Sequence, residues 1–143
     1  FIPGDWITDP DEKINAYRLA TQCKNKEELI QFASNLIDRY GTLPKAVESL
    51  IEVMKLKIIA RKCGFSRIKL SKPNVELETA MDEPAFKLLR KGLATHLHGR
   101  FIYKKGDRVS AVTVRGLGIL HSEKLLDQLT EWLNTMHSGV SNS

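Results

Sequence analysis

Four histidines, His96, His98, His121 and His137, are the side chains of this chain that titrate near neutral pH, so proton shuttling or imidazole ligation of a metal would fall to them. A metal needs several ligands converging on one point. His96 and His98 face one side together if their segment is extended, yet no Cys, Asp or Glu lies within a few residues to complete a set, and both read as polar loop residues. Cys23 and Cys63 are far apart, form no Cys-x-x-Cys and have no adjacent histidine. They read as buried fillers in a reducing compartment, not as nucleophiles or a disulfide. No G-x-x-x-x-G-K-[ST] is present, which removes the backbone cradle for nucleotide phosphates, and ATP hydrolysis by this chain is not expected. Gly116-Leu117-Gly118 has the context of a dinucleotide turn, but His121 stands where the third glycine belongs, so a plain loop explains it. The acid pairs Glu27/Glu28 and Asp82/Glu83 stand at helix starts, where capping and the helix dipole use them. No catalytic residue, metal ligand or cofactor is assigned.

Charge offers more. Lys55, Lys57, Arg61, Lys62, Arg67, Lys69 and Lys72 run with Glu52 as the one nearby acid, a strip suited to nucleic-acid phosphates if the charges share a face. The opposing reading is the solvated side of an amphipathic helix. Lys55 and Lys62 lie about two turns apart while Lys57 and Arg61 fall on another azimuth, which spreads the charge. No exposed aromatic run accompanies it, which counts against a single-strand stacking platform. Trp132 falls on an apolar stripe and reads as core; Trp6 precedes the first helix as an anchor to this domain or to a neighbour.

The elements that would position these groups are announced by local chemistry. Asp9-Pro10-Asp11-Glu12 opens a helix to about Cys23, with Ile14, Tyr17 and Thr21 on one stripe. Asn25 with Glu28 opens a second, with Leu29, Ala33, Leu36 and Tyr40 as its stripe, broadened by Ile30 and Ile37 and stopped by Gly41. Leu43-Pro44 starts a third through Val47, Leu50, Ile51, Met54 and Ile58, ending at Gly64. Alternation then predicts a hairpin of 65–70 with 75–79 around Lys72-Pro73-Asn74, and a short helix from Asp82 through Phe86, Leu89 and Leu93, interrupted by Gly92. Strands follow at 100–103 and 109–114, joined through Lys105-Gly106-Asp107. Ser122 caps a last helix carrying Leu125, Leu126, Leu129, Trp132, Leu133 and Met136, and Ser138 to Ser143 read as a frayed tail. The fold class is α+β: a helical N-terminal half packed on a small, mainly antiparallel sheet that a C-terminal helix covers. One domain is expected over residues 1–143, with 1–8 as a linker, because a four-strand sheet alone has little to bury.

Composition sets the bounds. Of 143 residues 42% are hydrophobic and 27% charged, which excludes disorder, collagen and a disulfide-built scaffold. Apolar runs fall short of the roughly 20 residues of a membrane span, so a soluble protein is expected. Lysine and arginine number 22 against 17 acids, a net +5 that is mildly basic. The chain opens at Phe1 without Met and is expected to be part of something longer.

The segments Phe1-Ile2-Pro3-Gly4-Asp5-Trp6-Ile7-Thr8-Asp9-Pro10, Tyr17-Arg18, Glu28-Leu29 and Leu36-Ile37-Asp38-Arg39-Tyr40-Gly41-Thr42-Leu43-Pro44 resemble the C-terminal domain of the bacterial transcription-repair coupling factor. The D-R-[FY]-G-x-[LI]-P segment is the distinctive part; Trp6 replaces a usual Tyr, Gly4 a common acid, and Asn35 a frequent carboxylate. The resemblance implies a non-catalytic regulatory domain of a superfamily 2 DNA translocase whose ATP and magnesium belong to an upstream motor. It further implies an intramolecular partner, the N-terminal module similar to UvrB, whose UvrA-binding surface the domain masks at rest. The parent would engage RNA polymerase, UvrA and double-stranded DNA in the bacterial cytoplasm, with no membrane and a monomeric domain. Asp38 is implied as a carboxylate for arginines of the masked surface, with Asn35 one turn earlier. A nucleic-acid module using Lys55, Lys57, Arg61, Lys62, Arg67 and Lys69 stays open as the alternative. A mixed surface carrying Asp38 favours the protein partner; one continuous basic ridge favours DNA.

Overall fold

The computed structural model describes residues 2–71, 73–117, 120 and 122–141, the side chains of Ser71, Ser122 and Ser141 excepted. Lys72, Gly118 and His121 therefore lie outside the described residues, as does the capping side chain expected of Ser122. The backbone divides into two compact units, Phe1–Ile58 and Ile59–Ser143.

The first unit is helical. Helix α1 spans Pro10–Gln22, with Asp9 accepting from the Asp11 amide at 2.9 Å and Pro10 at a position where its missing amide costs nothing. Helix α2 spans Lys26–Tyr40: Asn25 Oδ1 accepts from the Glu28 amide at 2.8 Å, satisfying one orphan donor of the first turn, and Glu28 reaches back to the Lys24 amide just before the cap at 2.7 Å. Gly41 ends it at φ 87°, a conformation that penalises any residue with a Cβ. Helix α3 begins at Lys45 and runs to Cys63, into the second unit.

The core of this first unit combines Ala16, Ala20, Leu29, Phe32, Leu36, Val47, Ile51, Met54 and Ile58 with Ile2 and Ile7. The opening segment, expected as a linker, thus supplies two core residues, and the Ile2 amide donates to the Tyr17 hydroxyl. Two stripe expectations are corrected. Ile14 is 66% exposed, and α1 turns Ala16 and Ala20 inward instead, because small side chains allow a close helix approach. On α2, Ile30 and Ile37 are exposed and Phe32 is buried, so the inward arc is centred on Leu29, Phe32 and Leu36.

The second unit is a four-stranded, wholly antiparallel sheet in the order β1-β2-β4-β3, with β1 Phe65–Ser71, β2 Asn74–Thr79, β3 Phe101–Lys104 and β4 Ser110–Val114. Val75, Leu77 and Thr79 on β2 and Val112 and Val114 on β4 are buried along one face. Helices α4, Glu83–Arg90, and α5, Ser122–Ser141, contribute Phe86 and Leu89, and Leu129, Trp132, Leu133 and Met136, to the buried set. Phe86 stacks on Tyr103 at 6.0 Å and Phe101 meets Trp132 edge-on at 5.7 Å. Thr79, the buried polar residue among the described residues, is satisfied twice: its hydroxyl donates to Gly64 O at 2.8 Å and accepts from the Met81 amide at 3.0 Å.

Helix α5 continues to Ser141, past Ser138 where a tail was expected. Gly139 lies against Gly92 just beyond α4, so closely that a Cβ on Gly139 would meet Gly92 Cα at 2.5 Å. The architecture is the α+β class expected, with the helices first, the sheet next and a helix last.

Candidate functional site

The exposed side of α2 is where the sequence placed its partner-facing carboxylate. Arg39 and Tyr40 are held across the first unit by Glu12 of α1: one carboxylate oxygen pairs with the Arg39 guanidinium, and the other accepts from the Tyr40 hydroxyl at 2.9 Å. The guanidinium also lies 5.5 Å from the Tyr40 ring centroid. Trp6 packs on Tyr40 at 5.4 Å, which fixes it as an anchor within its own unit. Partial burial, then the hydrogen bond to Glu12, pushes the Tyr40 phenol above its ordinary value, so it stays a neutral donor.

Asp38, between Ile37 and this lock, is exposed, and its side chain makes no hydrogen bond or ion pair among the described residues. Asn35 is exposed too, and its side-chain oxygen accepts from Gln31 Nε2 at 2.9 Å. Ile30 and Ile37, the isoleucines displaced from the core, lie exposed on the same helix. Helical spacing puts Ile30, Ser34, Ile37 and Asp38 on one arc. The outcome is a mixed surface, with the Asp38 carboxylate beside apolar, hydroxyl and amide groups. Glu12 went unnoticed as a site residue, since its partners are 27 and 28 residues away and nothing in local spacing points to them.

The basic strip does not stay a row of free cations. Lys55 donates to Glu52 at 3.0 Å, and Lys69 pairs with Glu78 at 3.2 Å across the β1–β2 ladder. Lys55 and Lys57 belong to the first unit and Arg61, Lys62, Arg67 and Lys69 to the second. Lys57, Arg61, Lys62 and Arg67 are exposed.

Catalytic geometry is thin. Thr95–Arg100 is a 3-10 turn and not the extended segment that would align His96 with His98; His98 Nε2 instead bonds Leu93 O at 2.8 Å. Among the described residues no three of His, Cys, Asp and Glu converge on a metal position. A cleft of about 500 Å³ opens beside α4, lined by Asp82, Glu83, Tyr103, Lys105 and Ser110 among others. Asp82 there caps the Ala85 amide at 2.9 Å and Tyr103 donates to Met81 O at 2.8 Å, so both are committed to structure.

Cys63 is buried, but Cys23 is only half-buried, because it caps the end of α1 with its thiol on Leu19 O at 3.4 Å. Burial pushes the Cys63 thiol up to about 12, and burial with the Glu28 charge raises Cys23 as well. At pH 8 the thiolate fraction of Cys63 is then on the order of one in ten thousand. Titration of the native chain with a chromogenic disulfide reagent is expected to release at most one equivalent, slowly, with the second appearing on denaturation. Prompt release of two would contradict this burial.

No described helix is long and apolar enough to cross a membrane. A family model described as the TRCF domain matches residues 1–87. The chain is 25% identical over 142 residues to a chloroplastic ATP-dependent DNA helicase of Arabidopsis thaliana, covering 97% of this chain and 17% of that protein. It is 33% identical over 85 residues to the transcription-repair-coupling factor of Bacillus subtilis, covering 59% and 7%, and 29% identical over 68 residues to that of Escherichia coli, covering 48% and 6%. It therefore spans less than a fifth of each of these relatives. Among solved structures, the crystal structure of the C-terminal domain of transcription-repair coupling factor superposes with a TM-score of 0.75 at 15% identity, over 100% of this chain and 89% of that one, a likeness of fold.

Proposed function

Because the chain belongs to the TRCF domain family, we propose that it acts as a non-catalytic regulatory and interaction domain of an ATP-driven DNA-repair translocase. Its partner in this reading is a module of the same parent protein, similar to UvrB, whose UvrA-binding surface it covers at rest. ATP, magnesium and RNA polymerase are the business of the parent's other domains, in a bacterial cytoplasm. The observation that carries the reading is Asp38: the neighbouring Arg39 and Tyr40 are both taken by Glu12, while Asp38 stands exposed at the end of α2, unpaired among the described residues. A free carboxylate beside exposed Ile37 suits a partner presenting arginine, since a charge-assisted bond flanked by apolar contact is strong and still reversible. Reversibility is needed, because a clamp released by another ligand can be opened only by that ligand's difference in affinity for the two states.

The test is calorimetric titration of the full chain with the separated N-terminal module at about 0.15 M salt. Asp38→Arg is expected to weaken binding at least tenfold, since reversing one partner of a close charge pair costs about 2 kcal/mol or more. Asn35→Asp, adding a second carboxylate one turn away, is expected to tighten it. Unchanged affinity in Asp38→Arg, or no binding of the parent chain, would overturn the reading. The alternative, a nucleic-acid strip over Lys55 to Lys69, is disfavoured by the pairing of Lys55 and Lys69 with Glu52 and Glu78.

A further inference from the structure

The β3–β4 hairpin holds a charge excess that the strip over Lys55 to Lys72 obscured. Arg100, Lys104, Lys105, Arg108 and Arg115 fall within sixteen residues against one acid, Asp107, in a chain whose whole excess is +5. All five cations are exposed, and among the described residues none is ion-paired. The contrast with Lys55 and Lys69 is physical: those cations already hold a carboxylate, whereas none of the hairpin's five does among the described residues, with Glu76 and Glu78 facing Thr113 and Ala111 of β4 and Asp82 and Glu83 sharing a cleft with Lys105 as the acids nearby in the fold.

Topology organises these charges. Among the described residues β3 is an edge strand, paired with β4 alone, so the hairpin forms one border of the sheet. Lys104 pairs with Ala111 at one end of the ladder, next to the loop carrying Lys105 and Arg108. At the other end the Arg115 amide donates to Arg100 O at 2.8 Å. Arg100 is held there, its guanidinium 5.6 Å from the Trp132 ring centroid and donating to Gly116 O at 3.4 Å. Four residue steps along β3 carry the chain from Arg100 to Lys104, about 14 Å at roughly 3.4 Å per residue. One strand of a duplex passes about four phosphates over that length.

We infer that the β3–β4 hairpin binds the phosphate backbone of duplex nucleic acid, with Lys104, Lys105, Arg108 and Arg115 as its contacts. The hairpin's aromatics exclude a stacking role: Phe101 is buried against Trp132, and Tyr103 stacks on Phe86 with its hydroxyl on Met81 O. Contacts made by long cationic side chains alone read position and not sequence. The inference stands apart from the Asp38 surface, which lies in the other unit.

The experiment is fluorescence anisotropy of the full chain with a labelled duplex of about 25 base pairs and mixed sequence, titrated in potassium chloride from about 50 to 200 mM. Four phosphate contacts predict an affinity loss on the order of a hundredfold across that range. Lys104→Ala/Lys105→Ala/Arg108→Ala, whose sites are all exposed, should weaken binding at least tenfold at about 100 mM and reduce the salt dependence to a few-fold. Lys55→Ala/Lys57→Ala should leave it within about twofold, and far-ultraviolet circular dichroism checks that each variant is folded. Absence of binding at the lowest salt overturns the inference, as does a hairpin variant that binds like the parent. Tighter binding to the matching single strand, or equal competition by poly-glutamate at matched charge, overturns the choice of duplex and points to a stacking site or an acidic protein.

Discussion

Replacing Gly92 by alanine is expected to destabilise the second unit by about 3 kcal/mol, roughly 15 °C in melting temperature for a unit of this size. On backbone grounds alone the substitution should help, since Gly→Ala at an ordinary φ gains about 0.4–1 kcal/mol through the unfolded chain. Contact decides the sign. A Cβ on Gly92 would sit 2.7 Å from Met136 O, 3.1 Å from Met136 Cα and 3.2 Å from Gly139 Cα, all backbone of α5, where no flexible side chain can swing away. The α4 and α5 segments must separate, and the burial of Leu89, Leu133 and Met136 loosens with them. Gly99 is the control: a Cβ there meets nothing within 4 Å, and Gly99→Ala should change stability by less than about 1 kcal/mol. Thermal unfolding followed by circular dichroism checks both. A Gly92→Ala melt within a few degrees of the parent would mean that the two glycines are not in close approach.

Leu77→Ala is expected to cost more still, about 3–4 kcal/mol. Leu77 is fully buried on a strand with neighbours on both sides, in register with Ile68 of β1 and Val112 of β4, so truncation leaves a cavity that those two neighbours cannot both collapse to fill. Glu76, one residue earlier, points to the opposite face opposite Lys69 and Thr113 and is half-exposed; Glu76→Ala should cost less than about 1 kcal/mol. The pair tests register, because a one-residue slip would exchange the two costs. Urea unfolding of both variants reads the difference, and comparable losses would rule out the pairing described.

Much of the secondary structure was legible because its signals are local. Asp9, Asn25 and Asp82 cap α1, α2 and α4 as their spacing required, and Gly41 and Gly64 end α2 and α3 at φ 87° and 103°. The inward faces of α1 and α2 were less so. Periodicity finds that a stripe exists, but choosing between Ile14 and the pair Ala16 and Ala20 depends on what crosses the helix. Hydrophobicity favours isoleucine for burial, whereas close packing favours alanine, and packing prevailed. Asp38 was found through a motif, and its distinguishing property, that it is unpaired beside a locked Arg39, was not visible there.

The amino-acid sequence by itself determined the starts of α1, α2 and α4, the glycine stops of α2 and α3, the α+β class and the kinship carried by residues 1–87, since each rests on local chemistry, on the order of the elements or on identity alone. Tertiary structure alone decided the sheet order β1-β2-β4-β3, the Glu12 lock on Arg39 and Tyr40, the glycine approach of Gly92 to Gly139, and which cations keep a carboxylate. The physical reason is range. A cap or turn gains its hydrogen bond before the rest of the chain is placed, but an ion pair or a packed face between distant segments exists only after loop closure has brought them together, and local spacing does not encode that closure.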